Sequence, residues 1–237
     1  MQHYEKAPIR EAIIGLQFDA LPATALASIE RFTKDISAVY SERQDQFKYN
    51  VAYATHRETV SSSGTAGLNG YICRSTKLPQ VVQARLDALL FSRLAPYESW
   101  APFRDEARRL WELFQGLTGV PDAKIIGVRY INLLSLPEPV KFEDYFDIYP
   151  EAKARDIPIQ NMLMRLEIPV PEINGTAILQ EALAPPVQPN TTSVVLDIDV
   201  RVARDKTIDL WEQINRIRPI KNRLFEDSLT PLAKEAF

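Results

Sequence analysis

The chain has 237 residues, 46% of them apolar and 25% charged, with a formal net charge of −3. That balance describes an ordinary globular protein, long enough to bury a core without covalent staples. It gives no argument for a nucleic-acid or acidic partner from totals alone.

One cysteine, Cys73, rules out an intrachain disulfide and favours a reducing compartment. No apolar run approaches the roughly 20 residues needed to span a bilayer. The opening MQHYEKAPIREAII lacks the basic-then-apolar pattern of a secretory signal. The expectation is a cytoplasmic protein without a membrane segment, and two Asn-X-Thr sequons, at Asn174 and Asn190, then go unused.

In chain order, residues 9–18 read as a strand, and 23–40 as a helix with Ala25, Ile29, Phe32 and Ile36 on one face. Residues 47–54 and 71–75 read as strands that bracket a glycine-rich loop, SSSGTAGLNG, containing Gly64, Gly67 and Gly70. Residues 81–94 read as one strand. Ser99 to Leu117 is a helix, capped by Ser99, striped by Trp100, Phe103, Ala107, Leu110, Trp111, Phe114 and Leu117, and stopped by Gly119. A strand at 123–136, a short helix at 142–146 and strands at 162–170, 176–183 and 193–203 follow. The closing helix begins near Thr207, with Pro219 expected to kink or break it, and Thr230-Pro231 starts a last short helix.

Two strands open on the same phrase, IIGLQFDAL at Ile13 and IIGVRYINL at Ile125. Each then leads through helix, three strands and a Trp-bearing helix, with Trp111 and Trp211 in corresponding places. The expected fold is α+β: a single domain of two βαβββα pseudo-repeats, approximately 1–120 and 121–237. Hairpin-linked strands make the sheet largely antiparallel with helices on one side, either open or curled into a half-barrel.

Common catalytic patterns are missing. The glycine-rich stretch lacks the lysine of a phosphate-binding loop and the spacing of a dinucleotide fingerprint. No nucleophile elbow accompanies His56, and two distant histidines with one cysteine exclude a Cys/His zinc site. No cofactor is expected, and binding is favoured over catalysis.

Charged residues do fall into patterns. Arg165 and Glu167, then Asp197, Asp199 and Arg201, alternate with apolar neighbours, so each set shares one face of its strand. Arg85 and Asp87 are placed in the same way. Cross-strand salt pairs on a solvated face are the plain reading. A groove in which Arg85, Arg165, Glu167, Asp197, Asp199 and Arg201 hold an anion or a divalent metal is the sharper one. Arg129, inside an apolar strand, requires a partner, and Glu11 in the matching strand is the candidate for a structural ion pair. Between Arg201 and Arg223 seven cations face three anions. Arg216, Arg218, Lys221 and Arg223 form the core of this basic patch, which suits a solvated helix face or an acidic protein partner better than nucleic acid.

The phrases APIREAI, GVRYIN and LFEDSLTPLAKEAF, spread over nearly the whole chain, resemble a sporadically distributed, uncharacterised prokaryotic protein family of about this length. The resemblance implies no activity or cofactor. It points to a defence-associated or antitoxin-like partner-binding role, with a protein partner or homo-oligomer, and draws attention to Pro8, Glu11, Gly127, Arg129, Tyr130 and Asn132. The alternative is an anion- or metal-dependent ligand-binding protein or phosphohydrolase.

Overall fold

The computed structural model describes residues 7–56, 59–150 and 161–235, with side chains described outside 50–65. The elements are β1 (Ile9–Gln17), α1 (Leu26–Asp35), β2 (Glu42–His56), β3 (Thr59–Arg74), β4 (Gln80–Arg85), β5 (Ala88–Leu94), α2 (Trp100–Thr118), β6 (Ile125–Pro137), α3 (Phe142–Tyr145), β7 (Leu163–Val170), β8 (Gly175–Ala184), β9 (Thr191–Ala203), α4 (Leu210–Ser228) and α5 (Pro231–Lys234). A 3-10 turn, Ala23–Ala25, leads into α1.

Among the described residues nine strands make one sheet in the order β2-β3-β4-β5-β1-β6-β9-β8-β7. Every neighbouring pair is antiparallel. The fold is thus α+β, and the sheet is open rather than closed into a barrel, with β2 and β7 at its edges.

Alternation along the strands divides the sheet into two faces. Ala12, Ile14 and Leu16 of β1, Ile126, Val128 and Tyr130 of β6, and Leu196, Ile198 and Val200 of β9 are all buried. They share one hydrophobic cluster with Phe32 of α1, Phe114 of α2 and Ile217 of α4. Ile13, Arg129, Asp197 and Asp199 alternate with these residues and therefore project from the other face.

Four expectations need correction. The stretch 81–94 is not one strand but a hairpin, β4 and β5, so the first half has one strand more than the second. The glycine-rich run lies in strand β3, paired with β2, and is not a loop. Gly70 serves the sheet there: its φ is +153°, and a Cβ would fall 2.1 Å from the Ala84 carbonyl oxygen, so only glycine permits this approach to β4. Ser99 holds the N-cap position of α2 but makes no side-chain cap bond. Finally, Pro219 does not break α4, which continues as a helix through it. Its start is fixed by Asp209, whose carboxylate accepts from the Trp211 and Glu212 amides.

The two sequons have a conformational use: Asn174 and Asn190 adopt positive φ, 48° and 58°, in the turns before β8 and β9. Cys73 is buried, which pushes its thiol pKa up to about 11 and makes it a poor nucleophile at neutral pH.

Glu181 is the unusual core residue. It is fully buried on the helix side of β8, and neither carboxylate oxygen has a hydrogen-bond partner among the described residues. Burial pushes its pKa up to about 8. The folded chain therefore holds this proton between the unfolded value, 4.5, and about 8. The contribution is complete below that window and is lost as pH rises through it. Replacing Glu181→Met should remove this slope: relative to wild type, the variant gains about 2–4 kcal/mol between pH 5 and pH 9 in denaturant unfolding. Parallel pH profiles for the two proteins would contradict this assignment.

Candidate functional site

The charged residues of the uncovered sheet face are brought together by strand pairing, but they neutralise one another. Asp197 accepts from Arg129 Nε at 2.8 Å and from Gln180 Nε2 at 3.2 Å. Asp199 accepts from Arg201 Nε at 2.8 Å. Arg165 reaches Glu167 at 2.6 Å and Gln180 at 3.4 Å, while Arg85 binds Asp87 at 2.8 Å. Arg85 ends β4 and Asp87 follows it in the turn, so they are not alternating members of one strand. Arg85, in β4, is also separated from Arg165, in β7, by the strands β5, β1, β6, β9 and β8. Each guanidinium that was to grip a ligand already has a carboxylate. The described residues include no group of three His, Cys, Asp or Glu suited to hold a metal ion.

Arg129 does have a structural carboxylate partner, but it is Asp197 rather than Glu11. The β1–β6 register sets Arg129 opposite Ile13 and Glu11 opposite Ile131, while β9 places its aspartates alongside. Hydrogen bonding to Asp197 keeps Arg129 charged against the opposing effect of burial, and the nearby charges of Asp199 and Glu11 assist.

The basic patch does not form one surface. Arg216 and Arg223 are about two turns apart, and Arg218 and Lys221 lie about one turn apart on the other side of α4. Arg216 pairs with Glu212 at 3.2 Å, and Arg223 pairs with Glu172. Arg218 stands over the Trp100 ring at 5.8 Å. Lys221 is only 8% exposed, with Nζ 3.6 Å from the centre of the Tyr130 ring.

Arg218 and Lys221 line a cavity of about 210 Å³ between the start of β1, the start of α2 and the middle of α4. Its aromatic walls are Tyr97, Trp100, Tyr130 and Phe225. The Tyr97 and Tyr130 hydroxyls are 2.8 Å apart, and burial raises the pKa of both, so this pair remains protonated at neutral pH. Asn132 is fixed by donating to the Leu196 carbonyl at 3.0 Å. Two carboxylates also border the cavity. Glu98 is bound by Arg93 at 2.6 Å, and Glu226 lies 3.7 Å from Lys234.

Burial, with help from the Arg218 charge and against the pull of Glu226, lowers the Lys221 pKa to about 7. The ring face of Tyr130 favours the ammonium form and tempers that shift. The amine thus changes charge near neutrality, in a cavity that also offers a guanidinium and a phenol pair. This chemistry is absent from the paired charges of the opposite face.

Pro8, Tyr130 and Asn132, singled out in the sequence phrases, all border the cavity. Tyr97 and Trp100 were missed as site residues, because an aromatic stripe reads first as core. Lys221 was assigned to the solvated patch although it continues the apolar series Leu210, Ile214 and Ile217 at helical spacing. No protein-family model matches the chain, and no curated protein matches it.

Two outcomes follow. Removing the guanidinium in Arg129→Met leaves the buried Asp197 without its principal partner and should cost about 3 kcal/mol, whereas Glu11→Gln should cost less than about 1 kcal/mol. Equal losses in chemical denaturation would restore Glu11 as the partner. For Lys221, the unfolded amine titrates near 10.5 and the folded one near 7, so the folded state binds fewer protons between those values. Its contribution to stability is lost as pH falls through about 7 and recovers as pH rises toward 10.5. Lys221→Met should therefore be stabilised relative to wild type by more at pH 7 than at pH 10, by about 2 kcal/mol or more. An unchanged difference would show that Lys221 keeps its proton throughout.

Proposed function

We propose that this chain binds a small anionic ligand in the Lys221–Arg218 cavity. The observation that carries this reading is the placement of two cations, one of them buried, on one side of α4 and facing an aromatic-walled cavity. A buried ammonium is costly in isolation, and an anion entering beside it offsets that cost. Arg218 supplies a planar donor fork that suits carboxylate or phosphate. The aromatic walls add apolar contact to the remainder of a small ligand. This moves the ligand-binding expectation from the sheet face, where the charges are internally matched, to the other side of the sheet.

A protein partner remains a second reading, supported by the uncovered face, where Ile13, Leu90, Ile131 and Leu133 are only half-buried. A cytoplasmic setting accords with the single buried cysteine; no helix among the described residues is long and apolar enough to cross a membrane. We also infer a tandem duplication. It is supported by β1 and β6 meeting at the centre of the sheet with Gly15 opposite Gly127, and by β5 and β9, the last strand of each half, flanking them.

Thermal unfolding with acetate, glycolate and inorganic phosphate tests the ligand reading. An anion present at a hundredfold its Kd stabilises by about 2.7 kcal/mol, which for a chain of this size raises Tm by about 5–10 °C. Arg218→Leu should remove that increase while retaining the fold. A response that persists unchanged in Arg218→Leu, or no response to any of the three anions, would reject the site.

A further inference from the structure

Lys221 has a chemical capacity beyond charge. The lysines whose ion pairs bring them to the surface, Lys34, Lys48 and Lys124, keep more than half of their side chains exposed, whereas Lys221 is enclosed in the cavity wall. A lysine desolvated beside another cation is the arrangement that activates an amine as a nucleophile. Arg218 is that second cation, about one helical turn away on the same wall. The Tyr97–Tyr130 hydroxyl pair, 2.8 Å apart, provides a proton donor and acceptor at the same cavity. Together these groups supply the three parts needed for carbonyl capture: a nucleophile, an anchor for a charged substituent and a proton carrier.

We propose that Lys221 forms an imine with a small carbonyl compound bearing an anionic group, of the 2-oxo acid class, whose carboxylate is held by Arg218. The proposal rests on the anionic-ligand reading above. The neutral amine adds its lone pair to the carbonyl carbon, forming the C–N bond, while the carbonyl oxygen takes a proton from the tyrosine pair. The resulting carbinolamine loses its hydroxyl as water. Of the two protons that leave the Lys221 nitrogen, one restores the tyrosine pair, whose own proton is now on the hydroxyl, and the other joins that hydroxyl to leave as water. Amine and carbonyl thus give imine and water, with no change of oxidation state. The lowered amine pKa, about 7, provides a neutral fraction at physiological pH.

The test uses the full chain with glyoxylate as the probe and cyanoborohydride as the reductant. Hydride addition to the C=N bond fixes the adduct as a carboxymethyl-lysine, which peptide mapping locates. The adduct should concentrate on Lys221 ahead of the exposed lysines. Glycolate, which has the carboxylate but no carbonyl, should suppress it, and Arg218→Leu should slow capture about tenfold or more. Label spread over exposed lysines with Lys221 spared would overturn the proposal. If glycolate still raises Tm while no Lys221 adduct forms, imine formation fails and anion binding stands. If neither compound alters Tm and no adduct forms, both readings fail. Because the mapping is performed on the wild-type chain, the result does not depend on whether a Lys221 variant folds.

Discussion

The register of β1 against β6 governs the remainder of the molecule. With Gly15 opposite Gly127, Ile14 and Leu16 fall on the same face as Val128 and Ile126. A slip of β6 by one residue would send Val128 and Ile126 to the uncovered face and carry the Arg129 guanidinium into the core. The same alternation places Tyr130 and Asn132 on the helix side while Arg129 points away. Three neighbouring residues of one strand thus serve two different environments: the phenol and amide border the cavity, and the guanidinium joins the aspartates of β9.

Helix α4 completes the cavity through a conflict within its own pattern. Its apolar residues Leu210, Ile214, Ile217 and Phe225 are drawn onto the sheet. Lys221 sits in that series, so docking the helix necessarily desolvates the amine. The aliphatic stem can be accommodated against aromatic surface, while the terminal charge finds the Tyr130 ring. This leaves a group whose charge is easily changed and whose placement is held by packing on either side. Arg216 and Arg223, on the other side of the helix, have ordinary exposed ion pairs and no such constraint.

Local patterns in the sequence disclosed most elements, because period-two and helical spacing act within a few residues. The antiparallel α+β class followed from hairpin-linked strands. The β4–β5 hairpin was missed because its turn, Leu86-Asp87, has neither glycine nor proline; the Arg85–Asp87 pair and Gly70 beside it are the features that mark the bend. The true partner of Arg129 was inaccessible to local reasoning: it depends on β9, distant in sequence, arriving beside β6. The cavity residues were partly legible. Lys221 at an apolar helical position was a signal available from spacing alone, but Tyr97 required the fold to bring its hydroxyl to Tyr130.

The two faces of the sheet show why abundance of charge is a poor guide to a site. On the uncovered face, Asp197 and Asp199 are buried beneath guanidiniums that satisfy them, so an incoming anion would have to compete with internal carboxylates. Such pairs fix strand register more readily than they add stability, since desolvation offsets much of their attraction. On the helix-covered face, burial lowers the Lys221 pKa to about 7, so its charge responds to pH near neutrality. The proposed anion binding draws on the protonated form of Lys221, and the proposed imine on its neutral form. That sensitivity follows from burial outweighing the pull of Glu226, whereas the guanidiniums of Arg129 and Arg201 opposite are paired with carboxylates.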